Sequence, residues 1–334
     1  MIVYNALQKT KNTMNLNLLL ENLTNPALLF FILGIIAVRL KSDLEIPENS
    51  SKFISLYLLF SIGFKGGQEL AHSHFTLEII WSVLFGVFIA IIIPIYSYFI
   101  LRRKFSAHDS GAIAAAYGSV SAVTFVTAAS FLELQNHVFS GHMVAVMALM
   151  EAPAIVIGVI LIRMFHKKEE NKTSMGSLIK HSFTNGSVLL ILGSLVIGLL
   201  ASEEQAMGIK PFTTDLFKGF LAIFLLDMGI VSGRKLKDFI KSGWFAILFA
   251  IAIPLINGCV VAIISQLITD DIGNRFIFAI LAASASYIAV PAAMKIAVPK
   301  ANPGLFLPMA LAITFPFNIT LGMPIYYSII LYFN

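Results

Sequence analysis

Ten stretches of this chain are apolar enough to leave water and long enough to cross a bilayer. That single feature removes most folds from consideration. Inside hydrocarbon every backbone N–H and C=O must be paired within the protein, which leaves helices and closed barrels. A helical span needs roughly 20 apolar residues. Stretches near 25–40, 52–70, 75–101, 109–131, 139–165, 185–201, 213–233, 242–268, 274–295 and 303–333 approach or exceed that length, the first and sixth being short. The sequence therefore predicts an all-α polytopic membrane protein with ten transmembrane helices. Only 12% of its residues are charged, against about 25% in soluble domains.

Lysine and arginine orient the spans, because short cytoplasmic loops carry an excess of them. With the N-terminus outside, the loops between spans 1–2, 3–4, 5–6, 7–8 and 9–10 carry seventeen of the 23. Lys9, Lys11, Lys65, Lys210, Lys218 and Arg275 remain outside. Both termini are thus expected to be extracytoplasmic. Residues 1–24 form an N-terminal extracytoplasmic segment without a cleavable-signal pattern, and Met14 is an alternative start. A polar cytoplasmic linker, 166–184, separates spans 25–165 from spans 185–334. The net charge of +5 is scattered through short loops, so it is no nucleic-acid footprint. A single cysteine, Cys259, excludes a disulfide framework and reads as core filling.

The two halves resemble each other. "FSIGFKGGQEL" at 60–70 aligns with "LDMGIVSGRKL" at 226–236, and "AYGSVSAVTFV" at 116–126 with "LAASASYIAVP" at 281–291. Pro94 falls on Pro254, Pro153 on Pro316 and Asn25 on Asn185, at offsets of about 160 to 166. A unit of five spans ends on the side opposite its start, so its second copy enters the membrane inverted. Two such copies form the construction used by secondary transporters, with a site at mid-membrane where broken helices meet. Spans 4 and 9 are the expected broken crossing helices, since "GSVSAVTFVT" and "SASYIAVPAA" place hydroxyls and a proline where an ordinary span is Leu, Ile and Val.

Gly118, Ser119, Ser121, Thr124, Ser284, Ser286, Tyr287 and Pro291 are the candidate substrate-binding residues. Small residues permit close approach of helices, and an unwound turn frees peptide groups for a ligand. Taken singly, each hydroxyl has a plainer reading as a back-bond to its own helix. Glu151 and Asp227 are the most membrane-embedded carboxylates, and an ionisable group in a span is a functional hypothesis by default. With Thr127, Thr314 and Asn318 they are the candidates for sodium or proton coupling, since carboxylates and loose carbonyls suit a hard cation. The plainer reading gives Asp227 a wet interface, and Thr314 and Asn318 interhelical hydrogen bonds. His72 and His74 lack a third metal ligand and read as solvent-facing, and Asp270–Asp271 is an isolated loop pair. Phosphate loop, nucleophile elbow and dinucleotide fingerprint are all absent, so an enzyme is not expected.

At "GSVSAVTFVTAASFLE", "MEAPAIVIG" and "ASASYIAVPAAMKIAVPKANP" the chain resembles the sodium-dependent bicarbonate transporter family, first associated with cyanobacterial carbon concentration. The likeness covers almost the whole chain. It implies two inverted five-helix repeats, a core and a gate domain, sodium-coupled uptake of a small anion, no cofactor beyond sodium, trimers, and a bacterial inner membrane. Gly118, Ser121 and Thr124 match the family's span-4 motif; Ser284, Ser286, Ile288 and Pro291 match its span-9 motif. Glu151 replaces an Asp, Tyr287 stands where the family carries an Asp, and Ala289 and Val290 replace Ser-Gly. The linker is shorter than the family loop that meets a P-II-type regulator, so that partner carries over least.

The leading expectation is thus a secondary transporter taking up bicarbonate or a similar small monovalent anion with sodium by alternating access. A cation/proton antiporter or an organic-anion/sodium symporter on a related broken-helix fold is the alternative. A non-transporting receptor has no attached sensor domain in its favour.

Overall fold

The protein is described by a computed structural model over residues 20, 22, 24–72, 76–165, 176–177, 179–180, 184–239 and 243–334. Met14, His74, the first nineteen residues and most of the 166–184 linker lie outside the described residues. Every regular element among the described residues is helical.

Among the described residues six helices are long and apolar enough to cross a membrane: Leu77–Leu101, Ala107–Leu134, His142–Phe165, Glu203–Leu236, Trp244–Leu267 and Pro303–Tyr332. This is fewer than the ten expected, for physical reasons that differ between elements. Helices α1 (Pro26–Arg39) and α7 (Gly186–Leu200) are apolar but only 14 and 15 residues long. Helix α2 (Glu48–His72) has the length, 25 residues, but carries Lys65, Gln68 and Glu69 near its end. The ninth stretch is split into α11 (Ile272–Ala283) and α12 (Ala289–Ala297).

The fourth stretch is split as well. Helix α4 (Ala107–Gly118) ends at Ser119, and α5 (Ala122–Leu134) begins after Ser121. The remaining elements are α3 (Leu77–Leu101), α6 (His142–Phe165), α8 (Glu203–Lys210), α9 (Phe217–Phe239), α10 (Trp244–Ile264) and α13 (Pro303–Tyr332). Within α13, Met309–Thr314 and Asn318–Gly322 widen to π geometry. Each wide stretch precedes a proline, Pro316 or Pro324, whose ring would otherwise press on the turn before it. Helix α8 was not foreseen, although Ser202 and Gln205 form a capping box at its start.

Residues paired by the sequence alignment take the same structural parts. Asn25 caps α1 by accepting from the Ala27 N–H, and Asn185 caps α7 by accepting from the Ser187 N–H. Pro94 and Pro254 both lie inside long helices, α3 and α10. The helices sort into two packed groups: α1, α2, α7 and α9 in one, and α3–α6 with α10–α13 in the other. In the first group α1 lies on α9 and α2 on α7 at backbone distance. A Cβ on Gly34 would sit 2.3 Å from the Leu226 carbonyl oxygen, and one on Gly67 would sit 2.1 Å from the Leu195 oxygen. Such contacts leave no room for any other residue there.

Candidate functional site

The two interruptions cross, and they hold each other through the main chain. Ser286 N–H donates to the Ala116 carbonyl at 2.8 Å, and Ser121 N–H donates to Ser284 Oγ at 3.0 Å. Ser284 Oγ in turn donates to the Leu281 carbonyl at 3.0 Å. Each break also starts its next helix with a serine. Ser121 Oγ accepts from Thr124 N–H at 3.1 Å and Ser286 Oγ accepts from Val290 N–H at 3.3 Å. A short polar side chain there satisfies a first-turn N–H that the helix itself leaves unpaired.

The carbonyls at the end of α11 find side-chain donors. Asn257 Nδ2 on α10 donates to the Ala282 oxygen at 3.2 Å, and Asn318 Nδ2 on α13 donates to the Ala283 oxygen at 2.7 Å. Asn318 is itself fixed by the Tyr326 hydroxyl, which donates to its Oδ1 at 3.1 Å. Gly118 is needed for a different reason, since a Cβ there would lie 2.1 Å from Pro94 Cγ on α3.

Beside the crossing lies a chamber of about 460 Å³, counted to its open mouth. Ser121 and Ala122 from the first break, Ser286, Tyr287, Ile288 and Ala289 from the second, and Glu151 from α6 line it. Val120 of the first break, Leu59 of α2, Met147 and Ala148 of α6, and Ser187, Val188 and Ile191 of α7 complete the wall. Ala122 and Ala289 are the first residues of α5 and α12, so two helix N-termini face one space. The serines take the Thr124 and Val290 N–H groups and Pro291 has none, which leaves Ala122 and Val123 N–H at α5 and Ala289 N–H at α12; with the positive end of each helix dipole these favour an anion. Glu151 is 9% exposed and forms no ion pair among the described residues. The Tyr287 hydroxyl is sealed without a hydrogen-bond partner among those residues.

The sequence candidates divide accordingly. Ser121, Ser286, Tyr287 and Glu151 meet at the chamber. Gly118, Ser284, Asn318 and Thr124 build the crossing, and the buried Ser119 hydroxyl lies beside it without a partner among the described residues. Pro291 lies one turn into α12. The rest lie apart. Thr127 Oγ1 donates to its own helix at the Val123 carbonyl, 2.9 Å. Thr314 Oγ1 donates to the Ala250 carbonyl and shares a hydrogen bond with the Tyr117 hydroxyl, both at 2.7 Å. Asp227 is buried and accepts from the Ser51 hydroxyl, tying α9 to α2. Asn257 and Ser187 were missed. Asn257, an amide inside "PLINGC", carried the usual signal of a polar group in a span; Ser187 carried none.

A multi-pass helical membrane protein whose buried chamber is built from two interrupted helices is the class that this geometry defines. The model of the Na+-dependent bicarbonate transporter superfamily matches residues 26–331, nearly the whole chain, which therefore belongs to that family, one of transporters and not of enzymes. No curated protein matches the chain.

Proposed function

We propose that the chain is a secondary transporter that takes up bicarbonate, or a closely similar small monovalent anion, together with sodium. The observation that carries this reading is the chamber in which two helix N-termini and a carboxylate without an ion pair among the described residues face the same space. The N-termini and the hydroxyls of Ser121, Ser286 and Tyr287 suit an oxyanion. Glu151 repels that anion until a cation joins it. Sodium at the carboxylate therefore raises anion affinity, and the anion raises sodium affinity by the same factor. Sodium and bicarbonate are both cargo in this scheme.

The alternating-access part rests on a ten-span inverted repeat. Support comes from the aligned caps Asn25 and Asn185, and from matching contacts in the two halves. Gly34 packs on Gly229 as Ser194 packs on Gly63, and Gly198 packs on Gly67's helix as Val38 packs on Gly233. We read α1, α2, α7 and α9 as the gate and the other group as the core, with both termini extracytoplasmic in a bacterial inner membrane. In proteoliposomes, labelled bicarbonate uptake is expected to follow an inward sodium gradient and to vanish when choline replaces sodium. Uptake indifferent to sodium contradicts the reading.

A second reading has one observation in its favour: Glu151 has no ion-pair partner among the described residues, and such a buried carboxylate can carry a proton as readily as sodium. Glu151→Gln separates the two. Loss of sodium dependence supports sodium coupling, and a changed pH profile with sodium dependence intact supports a proton.

A further inference from the structure

Lys65 and Lys218 were left on the outer side by the charge bias of the loops, with no role assigned. Both point at one carboxylate. Lys65 Nζ on α2 lies 3.4 Å from Glu133 Oε1, and Lys218 Nζ on α9 lies 3.2 Å from Glu133 Oε2. The lysines belong to the four-helix group and Glu133 ends α5 in the larger group, so both ion pairs cross the boundary between them. The other pairs among the described residues do not reach the larger group: His72 of α2 pairs with Glu203 at the start of α8, and Arg234 of α9 with Glu45 in the loop between α1 and α2.

The clasp sits at one end of that boundary. Helices α2 and α7 run parallel, since Gly63 meets Ile191 and Gly67 meets Leu195 and Gly198. The chamber is lined by the first turn of α7, Ser187 and Val188, at the end that follows the 166–184 linker. Lys65 and Glu133 line a separate recess of about 530 Å³ with Ile62, Glu69 and Phe217. That recess is further along α2, towards the opposite end. In the wall of that recess α2 touches the turn before α6, because a Cβ on Gly141 would fall 2.0 Å from the Gly66 oxygen.

We propose that Lys65, Glu133 and Lys218 form the outer gate latch of the transporter, holding α5 against α2 and α9 while the chamber opens to the linker side. This rests on the transport reading above for what the gate serves. The pairs are partly exposed, at 35% for Lys65 and Glu133 and 63% for Lys218. Exposed pairs contribute little to global stability. A gate needs no more than that, because its two states differ by little, and two weak bonds broken together shift the balance.

The test uses the full-length chain with Cys259→Ala and Ile62→Cys, which places one thiol in the outer recess. A membrane-impermeant maleimide is added from outside, and the labelling rate is compared with and without Glu133→Gln. Neutralising Glu133 is expected to speed labelling about threefold to tenfold, the loss of two exposed pairs. Reversing all three charges, Lys65→Glu, Glu133→Lys and Lys218→Glu, restores the slow rate and shows that the fold survives. Labelling unchanged by Glu133→Gln, or still fast after the triple reversal, overturns the latch. Sodium-dependent bicarbonate uptake measured on the same vesicles reports the transport reading separately. A failed uptake beside the expected labelling pattern counts against the cargo and leaves the latch standing.

Discussion

At the first interruption the Ala116 carbonyl is taken by the main-chain N–H of Ser286, and Gly118 lies flat against Pro94. At the second, the Ala282 and Ala283 carbonyls are taken by the side chains of Asn257 and Asn318, reaching in from α10 and α13. The residue aligned with Gly118 is Ala283, which is fully buried yet tolerates its methyl group. The end of α4 is therefore held by backbone and steric fit, and the end of α11 by amide side chains. Two equivalent bends in lipid can thus solve the same problem, unpaired peptide groups, by different chemistry.

The comparison breaks most visibly at Gly118. Gly118→Ala drives a methyl into the Pro94 ring and is expected to cost about 3 kcal/mol, seen as a large fall in folded yield and melting temperature in detergent. Ala283→Gly, at the aligned position, is expected to cost only about 1 kcal/mol. Equal effects of the two substitutions would erase the distinction.

Asn318→Leu probes the second break by leaving the Ala283 carbonyl buried and unpaired, for an expected loss of about 2 kcal/mol. Asn257→Leu should cost less, because its bond to Ala282 is longer, 3.2 Å against 2.7 Å. Thermal unfolding of both variants gives the order, and the reverse order contradicts it.

Ser121→Ala and Ser286→Ala ask whether the caps are equivalent. Ser121→Ala removes the α5 cap and Ser286→Ala the acceptor of the Val290 N–H, each worth about 1 kcal/mol, and each removes a hydroxyl from the chamber, so bicarbonate uptake should fall well beyond the loss of folded protein. Since the two breaks are hydrogen-bonded to each other, the double variant should depart from additivity by at least about 0.5 kcal/mol. Tyr287→Phe belongs to the second break alone. It deletes an unpaired buried hydroxyl, so stability should hold within about 1 kcal/mol. KM for bicarbonate should rise if the hydroxyl meets the anion, and an unchanged KM removes Tyr287 from the site.

The smallest effect lies away from both breaks and serves as a control. His72, exposed beyond the end of the 52–70 stretch, has its pKa raised by the Gln68 carbonyl at Nδ1 and by Glu203 at Nε2. A raised folded-state pKa makes the contribution full below the ordinary histidine value and lost as pH rises through the folded value. A melting temperature that falls slightly over that range in the parent, and not in His72→Gln, is the expected result.

The breaks themselves were legible because hydroxyls, glycine and proline cannot stand mid-span without a purpose, and Ser119, Ser121, Ser284 and Ser286 marked both. Glu151 was legible for the same reason. What closes the chamber was not. Leu59, Met147 and Val188 look like any residues of an apolar span, and only packing brings them to one wall. Thr127 and Thr314 lie away from the chamber, and a threonine that bonds its own helix or a neighbour's carbonyl has the same sequence signature as one that binds a ligand. The short helices α1 and α7 and the charged α2 depart from the simple length count because they pack against partner helices within the protein.

Reciprocal linkage between cation and anion at the crossing is the most direct test. Bicarbonate affinity of the purified protein should tighten when sodium is added, sodium affinity should tighten by the same factor when bicarbonate is added, and Glu151→Gln should bring that factor to one. Bicarbonate binding of equal strength with and without sodium in the unaltered protein would contradict the account.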